Sequence, residues 1–112
     1  MPLVKIDMIK GHTDDYKKAF LNAVHAGLEA ALGIPEGDRY QRLNELDSAC
    51  FEKNSGKTEK FSIIELTILP GRSKEIKGEI IREITRLLGE RLNIAPADVF
   101  IVIYDPPFEN WG

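Results

Sequence analysis

Leu3-Val4-Lys5-Ile6-Asp7-Met8 and Ile63-Ile64-Glu65-Leu66-Thr67-Ile68 open two copies of one pattern, 60 residues apart. Both runs have the apolar, partly β-branched character of a buried strand. Each leads to a glycine and then a hydroxyl residue, as Gly11-His12-Thr13 and Gly71-Arg72-Ser73. Each then enters a long helical stretch that closes on Leu32-Gly33-Ile34 or Leu92-Asn93-Ile94, and each has an aspartate, Asp38 or Asp98, just before another strand-like run. The offset holds without a gap from Leu3/Ile63 to Leu43/Ile103. Strand, helix and strand repeated twice describe two β-α-β units, and a crossover of this kind makes the two strands of each unit parallel.

Working outward, residues 3–9 read as a strand, with Pro2 at its first position, where a missing N–H is tolerated. Thr13 is placed to cap a helix, and Asp14 and Asp15 suit its first turn. Phe20, Val24, Leu28 and Leu32 recur every four residues, with Leu21 and Ala31 widening the stripe, until Gly33 and Pro35 stop the helix. Residues 39–46 carry a weak strand pattern of their own. Their match to the second unit, Tyr40–Asn44 against Phe100–Tyr104, supports a strand better. The polar stretch from Asp47 to Lys60, with Asn54-Ser55-Gly56, reads as a loop or ragged hairpin joining the units. Ser62–Leu69 is a buried-type strand, Ser73 caps a second helix with Ile76, Ile80, Ile84 and Leu88 as its buried stripe, and Val99–Tyr104 is the fourth strand. The tail from Pro106 to Gly112, with its paired prolines, cannot continue a central strand.

A chain of 112 residues with 43% hydrophobic content fits one globular domain, residues 1–112, with repeats 2–46 and 62–105 joined by a linker, 47–61. The net charge of −3 and the absence of a basic stripe argue against nucleic acid as a partner. No apolar run is long enough to span a bilayer, and Lys5, Asp7 and Lys10 interrupt what would have to be a leader segment. The single cysteine, Cys50, cannot form an internal disulfide. These features fit a cytoplasmic location. Ser55-Gly56-Lys57-Thr58 resembles the end of a phosphate-binding loop, but that pattern needs a glycine where Phe51 stands. His12 and His25 lack partners at metal-ligand spacing, and Cys50 has no evident base.

Topology then brings particular residues together. Because strand 2 runs parallel to strand 1, Asp38-Arg39-Tyr40 lies at Pro2's end of the sheet. If a two-fold axis relates the units, strands 1 and 3 are antiparallel neighbours. Gly71-Arg72 and the tail bearing Phe108 and Trp111 then arrive at the same end. Met1 followed by the small Pro2 favours removal of the methionine, which would leave Pro2 with a secondary amine. An α-amino group titrates near neutrality, and a cation or apolar surroundings lower its pKa further. Such an amine suits general-base work, and Arg72 suits bidentate carboxylate binding or stabilisation of an enolate. Asp38 suits orienting water or accepting a proton. Singly, Arg72 reads as a solvated first-turn residue, Asp38 as a turn residue like its repeat partner Asp98, and Trp111 as a packing anchor. Their convergence is what suggests a site. The counterparts in the second unit, Ser62, Asp98 and His12, do not make an equivalent chemical set.

Pro2 opening a pair of β-α-β units resembles the tautomerase superfamily, and in particular its malonate semialdehyde decarboxylase-like subgroup. The matching segments are Pro2-Leu3-Val4-Lys5-Ile6-Asp7, Gly33-Ile34-Pro35, Asp38-Arg39-Tyr40-Gln41, Gly71-Arg72-Ser73 and Asn110-Trp111. With the repeat, the resemblance implies an α+β fold in which tandem β-α-β units form a four-stranded mixed sheet with two helices on one face. It implies a homotrimer, no metal and no organic cofactor. It assigns the catalytic amine to Pro2, carboxylate binding to Arg72, and a water- or substrate-orienting role to Asp38, with Tyr40 and Trp111 beside the substrate. The implied substrates are small carboxylate-bearing oxo acids and their enols or unsaturated relatives. The decarboxylase pattern has a second arginine two positions before Arg72, where this chain has Pro70, and that departure favours tautomerisation. Three readings follow: a cofactor-independent tautomerase of small 2-oxo acids, a decarboxylase or hydratase using the same proline, and a non-catalytic trimeric interaction protein.

Overall fold

A computed structural model describes all residues from Met1 to Gly112. Strand β1 (Pro2–Ile9) is followed by helix α1 (Asp14–Leu32) and strand β2 (Tyr40–Leu46), and then β3 (Ser62–Ile68), α2 (Lys74–Leu92) and β4 (Val99–Tyr104) repeat the order. The sheet runs β2-β1-β3-β4. β1 is parallel to β2, β3 is parallel to β4, and β1 meets β3 antiparallel at the centre. Both units therefore keep their internal direction and meet head to tail, as the repeat implied.

Each helix is bounded by the chemistry its sequence carries. The Thr13 and Ser73 hydroxyls accept from the N–H groups of Tyr16 and Ile76, satisfying donors the helix leaves unpaired. Gly33 and Asn93 end the helices in the left-handed conformation. Between Asp47 and Lys60 there is no hairpin; the segment crosses as a loop with one short helical turn, Ser48–Cys50.

Alternation decides the faces of the sheet. Val4, Ile6 and Met8 of β1, with Ile64, Leu66 and Ile68 of β3, face both helices and are fully buried. They pack with Phe20, Val24 and Leu28 of α1 and Ile80, Ile84 and Leu88 of α2 in one core. Burying each such side chain contributes about 1.5–3 kcal/mol. The helices approach closely where Gly27 faces Ile84: a Cβ on Gly27 would stand 2.7 Å from Ile84 Cγ1 and 3.0 Å from its Cα. The expected α2 stripe starts one turn late, because Ile76, in the first turn, is 38% exposed. Periodicity fixes which way a helix faces, not how far along its length the neighbouring layer reaches. The other face of the sheet has no helix on it and carries Leu3, Lys5, Tyr40, Arg42, Glu65, Thr67, Phe100 and Tyr104 in alternating positions.

Candidate active site

The register places the site. Leu3 is level with Tyr40 in the parallel pair, so the segment entering β2 lies beside the start of β1. Pro2 is level with Ile68 across the central antiparallel pair, so the turn after β3 lies at the same end. Thr67 is level with Tyr104, which brings the tail after β4 to that end as well. In the tail, a short helical turn (Phe108–Asn110) reverses the chain. The Trp111 indole N–H donates to the Pro106 carbonyl at 3.1 Å, which fixes the ring against its own loop.

Asp38 is where the amino terminus goes. The Met1 ammonium donates to Asp38 Oδ2, in an ion pair spanning 37 residues of sequence. Pro2 itself is buried, and its nitrogen is an amide as long as Met1 remains. Removing Met1 would turn that amide into a free secondary amine.

Two grooves meet at Leu3. One, of about 370 Å³, is lined by Met1, Leu3, Thr67, Pro106, Asn110 and Trp111, closing on Gly112. The other, of about 400 Å³, is lined by Leu3, Arg39, Tyr40, Gln41 and Arg42. Thus Asp38, Tyr40 and Trp111 gather around the start of β1. Arg72 stands at the same end but lines neither groove. Gly71, at φ +113°, turns the chain, and the Arg72 guanidinium folds back to the Leu69 carbonyl at a long 3.5 Å. Such a contact is weak enough to exchange for a carboxylate at little cost.

Sequence reasoning missed Arg39 and Arg42. Arg39 donates to Asn22 Oδ1 on α1 at 2.9 Å and still borders the Tyr40 groove. Both residues bring positive charge to that groove. A signal existed: Arg39 adjoins Asp38, and Arg42 is two residues past Tyr40, on the same face of β2.

The architecture defines a class: small α+β proteins of two β-α-β units that share a four-stranded mixed sheet with two helices packed on one face. Within that class the chain belongs to the tautomerase superfamily, and two family models, each described as tautomerase enzyme, match residues 38–112 and 2–51. It is similar to the probable tautomerase YrdN of Bacillus subtilis (strain 168), 28% identical over 121 residues covering 100% of this chain and 90% of that one. Among solved structures it is similar to malonate semialdehyde decarboxylase, with a TM-score of 0.89 and 26% identity over 98% of this chain and 88% of the other. It also shares its fold with the Q0 fused 4-OT, a symmetric trimer, with a TM-score of 0.84 and 23% identity over 98% of this chain and 89% of the other. The chain is a tautomerase-superfamily enzyme.

Proposed function

We propose that this protein is a cofactor-independent tautomerase of small 2-oxo acids, with Pro2 carrying the proton. The observation that carries the reading is the Asp38 ion pair with the amino terminus, made at the edge of the groove between Leu3 and Trp111. A carboxylate there is placed to hold an amine in position beside the groove.

Ketonisation of an enol moves one proton from oxygen to a neighbouring carbon, with no net redox change. Pro2, freed of Met1, takes the enol proton on its nitrogen as the C=O bond forms, and returns a proton to the adjacent carbon. Arg72 swings from the Leu69 carbonyl to bind the acid group and offset the negative charge on the enolate-like intermediate. Asp38 holds the protonated amine, or a water, in line. Tyr40 and Trp111 wall the substrate.

A second reading is supported by the similarity to malonate semialdehyde decarboxylase: loss of CO2 from, or addition of water across, a three-carbon acid by the same proline. Pro70, where that pattern has an arginine, weighs against it. We also read the working form as a homotrimer. The helix-free sheet face exposes Tyr40, Phe100 and Tyr104, and both outer strands have an unpaired edge.

The test is intact mass together with turnover of phenylenolpyruvate, for the wild type and Pro2→Ala. The reading expects a chain lacking Met1 and a loss of about 10²-fold or more in kcat in the variant, the usual range for removing a general base. Turnover of malonate semialdehyde in place of the enol selects the second reading. A processed protein that turns over neither selects the non-catalytic one. Full activity in Pro2→Ala removes the proline from the mechanism.

A further inference from the structure

At the opposite end of the sheet, the second unit repeats the framework of the site without its chemistry. The offset of 60 sets Ser62 against Pro2, Asp98 against Asp38, His12 against Arg72 and Phe61 against Met1. Every one of these positions is taken up by the linker or lies behind it. Where Asp38 receives the terminal ammonium, Asp98 receives the Thr58 N–H at 2.9 Å on Oδ1 and the Thr58 hydroxyl at 2.6 Å on Oδ2. His12, stacked on Tyr16 with ring centroids 4.1 Å apart, donates from Nε2 to the Glu59 carbonyl at 3.0 Å. The Lys60 ammonium donates to the Leu92 and Asn93 carbonyls at the end of α2. Phe61, in the place of Met1, is buried edge-on against Phe51, in a small cluster with Ile9. Four consecutive residues, 58 to 61, thus each tie the linker to this end.

We infer that the linker, residues 47–61, is a strap that occupies the second unit's copy of the site, with Thr58 and Asp98 as its latch, so that each chain keeps one open end. The burial of Asp98, 3% exposed and satisfied by two donors from a single residue, marks the latch as the anchoring contact. Two polar groups at this end are also unspent. The Ser62 and Tyr16 hydroxyls are buried without hydrogen-bond partners, so opening the strap would hydrate them and lower the cost of release. This inference rests on the repeat and the linker contacts, and it stands whether or not Pro2 is catalytic.

Amide hydrogen exchange of the whole protein tests it without any substrate. In the wild type, the Thr58 and Phe61 amides should be protected well beyond an unstructured chain. Asp98→Ala should speed exchange across residues 51–61 by at least tenfold while leaving the β1 and β3 amides as they were. Thr58→Ser, which keeps both donors, should match the wild type. Where Asp98→Ala fails to fold, Thr58→Val, which removes only the hydroxyl, should speed the same segment several-fold. Turnover at the Pro2 end should stay within twofold in each folded variant. Unprotected wild-type linker amides, or linker exchange unchanged by loss of the latch, would overturn the strap. A tenfold loss of turnover in Asp98→Ala or Thr58→Val would overturn the independence of the two ends.

Discussion

Two aspartates at matching positions meet different demands, and the difference is electrostatic. Asp38 faces the exposed terminal ammonium beside a groove, whereas Asp98 is enclosed. Burial pushes the Asp98 pKa up, but the two Thr58 hydrogen bonds, helped by Lys57 and Lys53, outweigh it and hold the carboxyl below its ordinary value. A carboxyl with a lowered folded-state pKa stabilises the fold above its unfolded value and loses that contribution as pH falls through the folded one. The urea midpoint of the wild type should therefore drop more steeply than that of Asp98→Asn below about pH 4, the ordinary carboxylate pKa; parallel curves would show that Asp98 does not couple to folding. Arg72 permits a second prediction. If it binds the substrate carboxylate, Arg72→Ala should raise KM by about tenfold or more, and Arg72→Lys should recover only part, because a lysine cannot make the bidentate pair. Steady-state kinetics separate this from a folding defect, which would lower kcat and active fraction together. The placement of Pro2 and Asp38 at one end of the sheet was readable from topology. Arg39 and Arg42 were not singled out, because adjacency to Asp38 and alternation along β2 do not by themselves separate an arginine that borders a groove from one in open solvent.

Among the elements, those that carry a strong apolar period were the most legible. β1, β3 and both helices follow from their own sequences, and the caps at Thr13 and Ser73 stand where the hydroxyls predicted. β2 was legible only through its partner in the repeat. It is an edge strand whose inward residues, Gln41, Leu43 and Glu45, are only half-covered, so its alternation never becomes apolar. The linker was unreadable for a related reason: its anchoring contacts join polar side chains to groups 32 to 47 positions away, several of them backbone, and leave no period. Packing between the helices supports a prediction of its own. Gly27 is the point of closest approach, and a methyl there would collide with Ile84 side chain and backbone alike. Although alanine is the better helix former, Gly27→Ala should destabilise the protein by about 1–3 kcal/mol, the usual cost of overpacking. A thermal melt showing a gain in Tm would mean that the helices part easily at that point.

For the whole molecule, the layered design leaves one sheet face to be accounted for. Phe100 and Tyr40 are each 55% exposed on that face, at matching positions in the two units. Large aromatic rings held open at both outer strands suit contact with further copies of the chain. In analytical ultracentrifugation the protein should sediment at three times its chain mass, and Phe100→Glu should shift it toward the monomer. If Phe100→Glu leaves the mass unchanged, copies associate elsewhere. No helix is long and apolar enough to cross a membrane.

The antiparallel meeting of β1 and β3 has a practical consequence for anyone perturbing this protein. Two copies of one backbone plan, turned end for end, share one main core. Most positions between 3 and 43 have a twin 60 residues on, with the same strand register or helix turn but different surroundings. A substitution made at both twins is then a matched pair of trials in one specimen. Expression, solvent and temperature can be held constant, and the neighbourhood is what differs. Asp38→Asn beside Asp98→Asn asks what a carboxylate does when it faces an amine and when it faces a hydroxyl. Few chains come supplied with their own reference arm.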